Sequence, residues 1–243
     1  MTDRTIIYGG TGGIGSEIAR ALARAGRAVH LVARDGGRLA ALGAEIGCGV
    51  TEGDVTDPAT FDRVVQDVGD SPVAGLVYAV GTITLKPLAR LTDADYLSDF
   101  TLNALGAARA VRAHLPAMQR AASGASVVLF SSVAARQGFA NHASIAMAKG
   151  AVEGLVLSLG AELAPKVRVN AVAPSLTDTP LAAGMTSNEA MVKAIAGLHA
   201  LPRIGTPVDI AGLAVFLLGE GASWITGQVI GVDGGRSTLR TKG

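Results

Sequence analysis

The chain of 243 residues is predicted to be a single α/β domain, a doubly wound parallel sheet of seven strands with helices on both faces. Three observations predict it. Short β-like runs alternate from end to end with longer Ala-rich segments of helical period, the pattern of βα units that build a parallel sheet. Hydrophobic residues make up 49% of the chain and charged residues 17%, enough apolar material to cover both faces of a buried sheet. No linker, repeat or low-complexity tract divides the sequence, and large α/β domains commonly reach this size around one sheet, so residues 1–243 are read as one domain.

In chain order, strands are expected at residues 5–8, 28–32, 49–51, 75–80, 126–130, 168–171 and 229–232. Helices are expected between them at 14–25, 37–46, 58–68, 93–120, 142–163 and 207–218. The segment 175–205 is longer than an ordinary connection. It reads either as a lid over a substrate pocket or as a pair of short surface helices. Gly184, Asn188 and Gly197 would allow motion, and Leu181, Met185, Met191, Ile195 and Leu198 would wall an apolar pocket.

Lys and Arg number 21 against 20 Asp and Glu, a net charge of +1, so no broad field draws the protein to nucleic acid or to an anionic membrane. A small molecule is the expected partner. Cys48 is the single cysteine and has no companion for an intrachain disulfide or a metal site, which suits a reducing, cytoplasmic compartment. No metal is expected. The start, Met1-Thr2-Asp3-Arg4, shows no signal-peptide pattern, and the apolar stretch 213–218 is far shorter than the roughly 20 residues of a membrane span.

The first predicted strand runs into Gly9-Gly10-Thr11-Gly12-Gly13-Ile14-Gly15, and an amphipathic helix follows at once. Glycines let the chain turn tightly, bring backbone amides against a pyrophosphate and let the helix pack close to the strand with its positive end toward the anion. A strand, glycine turn and helix in this order are the context that a dinucleotide fingerprint requires. The second strand ends Leu31-Val32-Ala33-Arg34, without the acidic residue that would accept from a ribose 2′-hydroxyl. Arg34 offers instead a planar, permanently charged guanidinium suited to a 2′-phosphate, which favours NADP over NAD; a solvated arginine after a strand is the plainer alternative. Asp54 either accepts from an adenine amino group, with Val55 covering the ring, or simply caps a turn.

Taken together, these residues resemble the short-chain dehydrogenase/reductase superfamily over almost the whole chain. The likeness is carried in order by the glycine motif, Gly53-Asp54-Val55-Thr56-Asp57, Asn103, Ser131-Ser132, Lys149, Arg168-Val169-Asn170-Ala171-Val172-Ala173-Pro174, Ile225-Thr226-Gly227-Gln228 and Val232-Asp233-Gly234-Gly235. The resemblance implies a Rossmann-type sheet, hydride transfer to or from NAD(P), and assembly into homodimers or homotetramers. It implies that Ser132 orients a substrate oxygen, Lys149 grips the nicotinamide ribose, Asn103 holds a water in a proton relay, and Pro174 and Thr177 lie near the nicotinamide. Where the family commonly reads Asn-Asn-Ala-Gly after the fourth strand, this chain reads Tyr78-Ala79-Val80-Gly81, a region that braces the sheet and cofactor.

The family's active-site tyrosine stands four residues before its lysine, and that position here is Ile145. In ketone reduction the oxygen becomes alkoxide-like and needs a proton, and general-acid help is worth about 10²–10⁴ in rate. Isoleucine supplies none. His142, Ile145 and Lys149 are spaced by three and four, so they line one stripe of a helix and His142 is a candidate donor, whereas Ser144 projects about 100° away. The enoyl-reductase branch places its tyrosine at the position of His142, and dienoyl reductases also dispense with the tyrosine four before the lysine. Reduction of a conjugated C=C sends charge onto an enolate, which hydrogen-bond donors stabilise without full protonation at that instant. Three readings follow: an NADP-dependent reductase of a carbonyl or conjugated C=C compound with an altered proton-donor site, a catalytically silent dinucleotide-binding sensor or partner protein, and, last, a lyase or isomerase that retains the cofactor.

Overall fold

The computed structural model describes residues 3–240. Its seven strands, all parallel, are β1 (Arg4–Tyr8), β2 (Ala28–Ala33), β3 (Gly49–Glu52), β4 (Val73–Tyr78), β5 (Ala125–Phe130), β6 (Val167–Pro174) and β7 (Val229–Val232), in the order β3-β2-β1-β4-β5-β6-β7. The helices α1 (Gly13–Arg24), α2 (Gly36–Ile46) and α9 (Pro207–Leu218) cover one face, where Ile18, Leu22, Leu39, Leu42, Ile210 and Leu217 pack on Ile7, Leu31 and Val128. On the other face α3 (Ala59–Val68), α5 (Gly106–Gln119) and α6 (Ala143–Leu163) set Phe61, Val64, Val111 and Val156 against Ile6, Tyr8, Leu76 and Val127. Successive residues of one strand thus feed opposite cores, as a sheet buried on both faces demands.

The order reverses between β1 and β4, and in open α/β sheets the crevice beyond the carboxyl ends of strands at such a point is where ligands bind. The structure differs from the expected elements in two informative places. The helix expected at 93–120 is α4 (Asp93–Phe100), a π-helical turn Thr101–Leu105 and α5. The cause is local: the Asn103 side chain donates to the Asp99 carbonyl at 2.8 Å, the acceptor that the backbone N–H of residue 103 takes in an α-helix, and Tyr78 Oη donates to the Leu102 carbonyl at 2.7 Å.

The second place is 175–205, which folds as a 3-10 turn Pro180–Ala182 and two short helices, α7 (Ala183–Thr186) and α8 (Glu189–Ala196). Of its five apolar residues expected to wall a pocket, Leu181, Met185 and Ile195 do so, while Met191 and Leu198 are exposed and do not. Met191 lies on the outward side of α8 and Leu198 in the turn that follows it. Helix α6 is long and apolar enough to span a membrane by length and composition, yet one side of it packs on β6 and its buried Val152 and Val156 join the core.

Candidate active site

The glycine turn is dictated by close backbone approach. Gly9 adopts φ +78°, and a Cβ there would stand 2.7 Å from the Ala79 carbonyl oxygen. At Gly15 a Cβ would stand 2.2 Å from the Gly9 carbonyl oxygen, so only glycine lets α1 start this close to β1. Gly12 precedes α1 with no side-chain cap, and no acidic residue occupies the first turn, which leaves the positive helix end free for an anion. Thr11 is anchored from outside, because the Arg38 guanidinium donates to its carbonyl at 2.9 Å. A Cβ on Gly13 would meet Thr179 Cγ2 at 2.9 Å, and Ile14 opens onto the main cavity. This cradle of backbone amides, which any Cβ would fill, fits a diphosphate.

Arg34 follows β2 with its side chain 75% exposed, and its guanidinium lies 3.7 Å from an Asp54 carboxylate oxygen. The other Asp54 oxygen accepts from the Thr56 amide and hydroxyl, both at 2.8 Å, so Asp54 caps the turn after β3, and the Thr56 amide with its hydroxyl and Arg34 lower its pKa. Val55 is buried in the core beside Tyr8 and Phe61. Arg34 and Arg38 therefore form a two-arginine rim at the edge of the glycine turn, of which only Arg34 was expected.

A cavity of about 330 Å³ extends from Ile14 past Gly81, Ser132, His142, Ile145, Lys149, Pro174 and Thr177, the expected residues of the chemical end other than Asn103. Ser132 follows β5 and caps the 3-10 turn Val133–Ala135, its hydroxyl accepting from the Ala134 amide at 3.2 Å, which leaves the hydroxyl proton available. Lys149 reaches from α6 to the Phe130 carbonyl at 2.9 Å. Burial pushes its pKa down to about 8, against the opposing pull of Asp99. A Cβ on Gly81 would stand 3.1 Å from Asn103 Oδ1 and 3.4 Å from Lys149 Nζ, so an acceptor and an ammonium converge beside the bare glycine. Asn103 Oδ1 is buried and has no hydrogen-bond partner among the described residues, which is what a relay water or a ligand hydroxyl would satisfy.

His142, Ile145 and Lys149 all line the cavity, as their spacing on one helix predicts. His142 Nδ1 lies 2.7 Å from the Ala140 carbonyl and donates to it, which leaves Nε2 as the nitrogen free to exchange a proton. Pro174 ends β6, and Thr177 is buried with its hydroxyl donating to the Ser175 carbonyl at 3.0 Å. His199 ties the ends of the 175–205 segment together, bonding the Ile195 carbonyl at 2.8 Å and Ser175 Oγ at 2.9 Å.

Asp99 was not anticipated. Its carboxylate is fully buried and accepts from Thr82 Oγ1 at 2.6 Å, Thr84 Oγ1 at 2.8 Å and Ser144 Oγ at 2.6 Å. Thr82, which also lines the cavity, accepts in turn from Asn103 Nδ2 at 3.0 Å. The carboxylate thus organises Asn103 through Thr82 and acts electrostatically on Lys149. The signal was present, since Asp99 stands four residues before Asn103 on a helix and Thr82 and Thr84 alternate along an extended segment, but nothing in the sequence joins the two stretches.

Comparison with known proteins agrees with this geometry. The profile of the Enoyl-(Acyl carrier protein) reductase family matches residues 9–237. The 3-oxoacyl-acyl-carrier-protein reductase MabA of Mycobacterium tuberculosis is 34% identical over 232 residues, covering 95% of this chain and 91% of the relative. Among solved structures, a short-chain type dehydrogenase/reductase from Mycobacterium ulcerans superimposes with a TM-score of 0.91 at 30% identity, covering 98% of this chain and 90% of that one. A variant of actinorhodin polyketide ketoreductase with NADPH gives 0.91 at 28% identity and covers 98% of both chains. With its strand order, its glycine cradle, and Ser132 and Lys149 lining one cavity that Asn103 approaches at Gly81, the chain belongs to the short-chain dehydrogenase/reductase superfamily of NAD(P)-binding oxidoreductases.

Proposed function

We propose that the protein is an NADP-dependent reductase with an altered proton-donor site, acting on a carbonyl or conjugated C=C group of a small molecule. The observation that carries the reading is the convergence of Lys149 Nζ and the partnerless Asn103 Oδ1 on Gly81, in the cavity that Ser132 lines. NADPH supplies a hydride when bound. Gly9, Gly12, Gly13 and Gly15 would hold its diphosphate, the Arg34 and Arg38 rim a 2′-phosphate, and Lys149 the nicotinamide ribose. The relatives' names support both substrate types, since they include 3-oxoacyl reductases and the matched family is an enoyl reductase.

Ser132 donates its hydroxyl proton in a hydrogen bond to the substrate oxygen. Ile145, at the position the superfamily gives to tyrosine, excludes water from that oxygen and offers no proton. An oxygen that becomes an enolate tolerates this better than one that becomes an alkoxide, because hydrogen bonds alone stabilise it. His142 delivers a proton from Nε2 in its imidazolium form. The two short helices of the 175–205 segment close the apolar wall over the reacting group.

The same absent hydroxyl supports a second reading, a silent NADP-binding sensor or partner protein that binds cofactor without turnover. NADPH consumption against ketones, enones and enoyl thioesters separates the two for the native protein, His142→Ala and Ile145→Tyr. Native turnover of an enone or enoyl thioester is the expected result, with a rate about tenfold lower in His142→Ala. Ketone reduction awakened only in Ile145→Tyr marks a native protein that is not a ketone reductase, and no native turnover with any compound leaves the silent reading.

The lone Cys48 supports a reducing, cytoplasmic setting. A homodimer or homotetramer is supported by α6, whose outward Met147, Gly150, Gly154 and Leu157 are exposed and recur at helical spacing.

A further inference from the structure

The polar residues of the cavity are unevenly charged. Of its lining residues Lys149 and Arg236 are cationic and none is acidic. Lys149 belongs to the reacting end. Arg236 arrives from elsewhere: after β7 the chain reverses through Gly234 and Gly235, at φ +61° and +84°, a pair of left-handed positions that favours glycine. The reversal carries residue 236 back to the cavity, where Gln137 Nε2 fixes its carbonyl at 3.0 Å. The Arg236 guanidinium lies 4.9 Å from the centre of the Phe139 ring, and Phe139 in turn meets the His142 ring at 5.3 Å.

Stacking on a ring face holds a guanidinium in place while leaving its N–H edge free. Among the described residues that edge has no carboxylate within salt-bridge distance and no protein acceptor. Asp233, the acid that acts electrostatically on Arg236, is committed to the Gly235 amide at 2.9 Å, the Ser237 amide at 3.0 Å and the Ser237 hydroxyl. Partial burial lowers the Arg236 pKa, and Asp233 offsets only part of that penalty. A stacked, partly desolvated cation with unused donors, in a cavity otherwise walled by Ile83, Val133, Leu181, Met185 and Ile195, is built to meet an anion on an apolar molecule.

We infer that Arg236 is the recognition residue for an oxyanion, a carboxylate or a phosphate monoester, so that the preferred ligand is an apolar compound with one anionic end rather than a neutral ketone or enone. Calling that ligand a substrate rests on the reductase reading; the recognition itself does not. The cofactor is excluded as the source of the anion by placement, since its phosphates belong to the glycine cradle and the Arg34 and Arg38 rim.

The test is calorimetric binding to the NADP-loaded protein of two matched pairs. The first pair is 4-oxo-4-phenylbutanoate and its methyl ester, and the second is acetoacetyl-pantetheine 4′-phosphate and acetoacetyl-pantetheine. The charged member of at least one pair is expected to bind about tenfold more tightly, the first pair reporting a carboxylate and the second a phosphate. In Arg236→Gln that preference falls toward unity, while Arg236→Lys keeps part of it. Equal binding within both pairs, a preference that survives in Arg236→Gln, or no binding of any of the four compounds overturns the inference. NADPH consumption against these compounds and the panel of ketones, enones and enoyl thioesters reads the other conclusion separately: charge preference with no hydride transfer to any of them removes the reductase and keeps the recognition site, and turnover without charge preference does the reverse.

Discussion

The two ends of the crevice are built from different materials. At the glycine turn the groups proposed to meet a ligand are backbone amides, and the side chains matter by being absent, as at Gly9 and Gly15. At the chemical end the proposed groups are side chains drawn from five places in the chain: Ser132 after β5, Asn103 in a π turn, Lys149 and His142 on or beside α6, Asp99 on α4 and Arg236 after β7. A backbone site tolerates no local change but needs no distant partner. A side-chain site, assembled from separate segments, can change one member without moving the others.

That contrast is broken most directly at Gly15. Gly15→Ala places a methyl 2.2 Å from the Gly9 carbonyl oxygen, so the turn must open. NADPH affinity should fall by more than about 100-fold and stability by about 3 kcal/mol, checked by calorimetry and thermal melting. Retained affinity would show that the cradle is adaptable.

The chemical end should titrate. The Lys149 pKa is pushed down to about 8, so its ammonium is present below that pH and lost above it. The cofactor grip and proton relay proposed for Lys149 both need the charged form, so kcat/KM should fall by about tenfold per unit above pH 8. In Asp99→Asn the midpoint moves to lower pH, because the negative charge that helps keep the ammonium protonated is gone. A profile flat to pH 10 would remove Lys149 from the chemistry.

Asp99→Asn also sharpens the comparison through stability. The amide oxygen can accept from two of Thr82, Thr84 and Ser144 but its NH2 cannot accept from the third, so one hydroxyl loses its carboxylate partner at a cost of about 1 kcal/mol, read as a lowered melting temperature. The smallest effect belongs to the exposed rim. Arg34→Ala should leave the melting temperature unchanged, because an exposed pair 3.7 Å apart contributes little, while the preference for NADPH over NADH falls about tenfold.

The same division explains what the sequence could show. The glycine turn lies within one βα unit, so its residues are contiguous and their spacing declares the backbone geometry; the sheet was legible for a similar reason, through local alternation of strand and helix. The stripe of His142, Ile145 and Lys149 was legible because one helix carries it. The π turn around Asn103 was not, since a helical period runs through 93–120 and the interruption depends on Tyr78, a residue of another element. Asp99, with its hydroxyl cage from Thr82, Thr84 and Ser144, and Arg236 on Phe139 were hidden because each joins segments that only the folded chain brings together. Met191 and Leu198 do not reach the pocket wall; composition alone does not tell which side of a short helix faces inward or where the turn after it points.

On the proposed reading the glycine turn and its arginine rim hold an NADP dinucleotide over the cavity. Calorimetric titration of the folded native protein with NADPH and, separately, NADH should then show one site per chain, with NADPH bound at least about tenfold more tightly than NADH. Heat from neither nucleotide while the protein remains folded would contradict it.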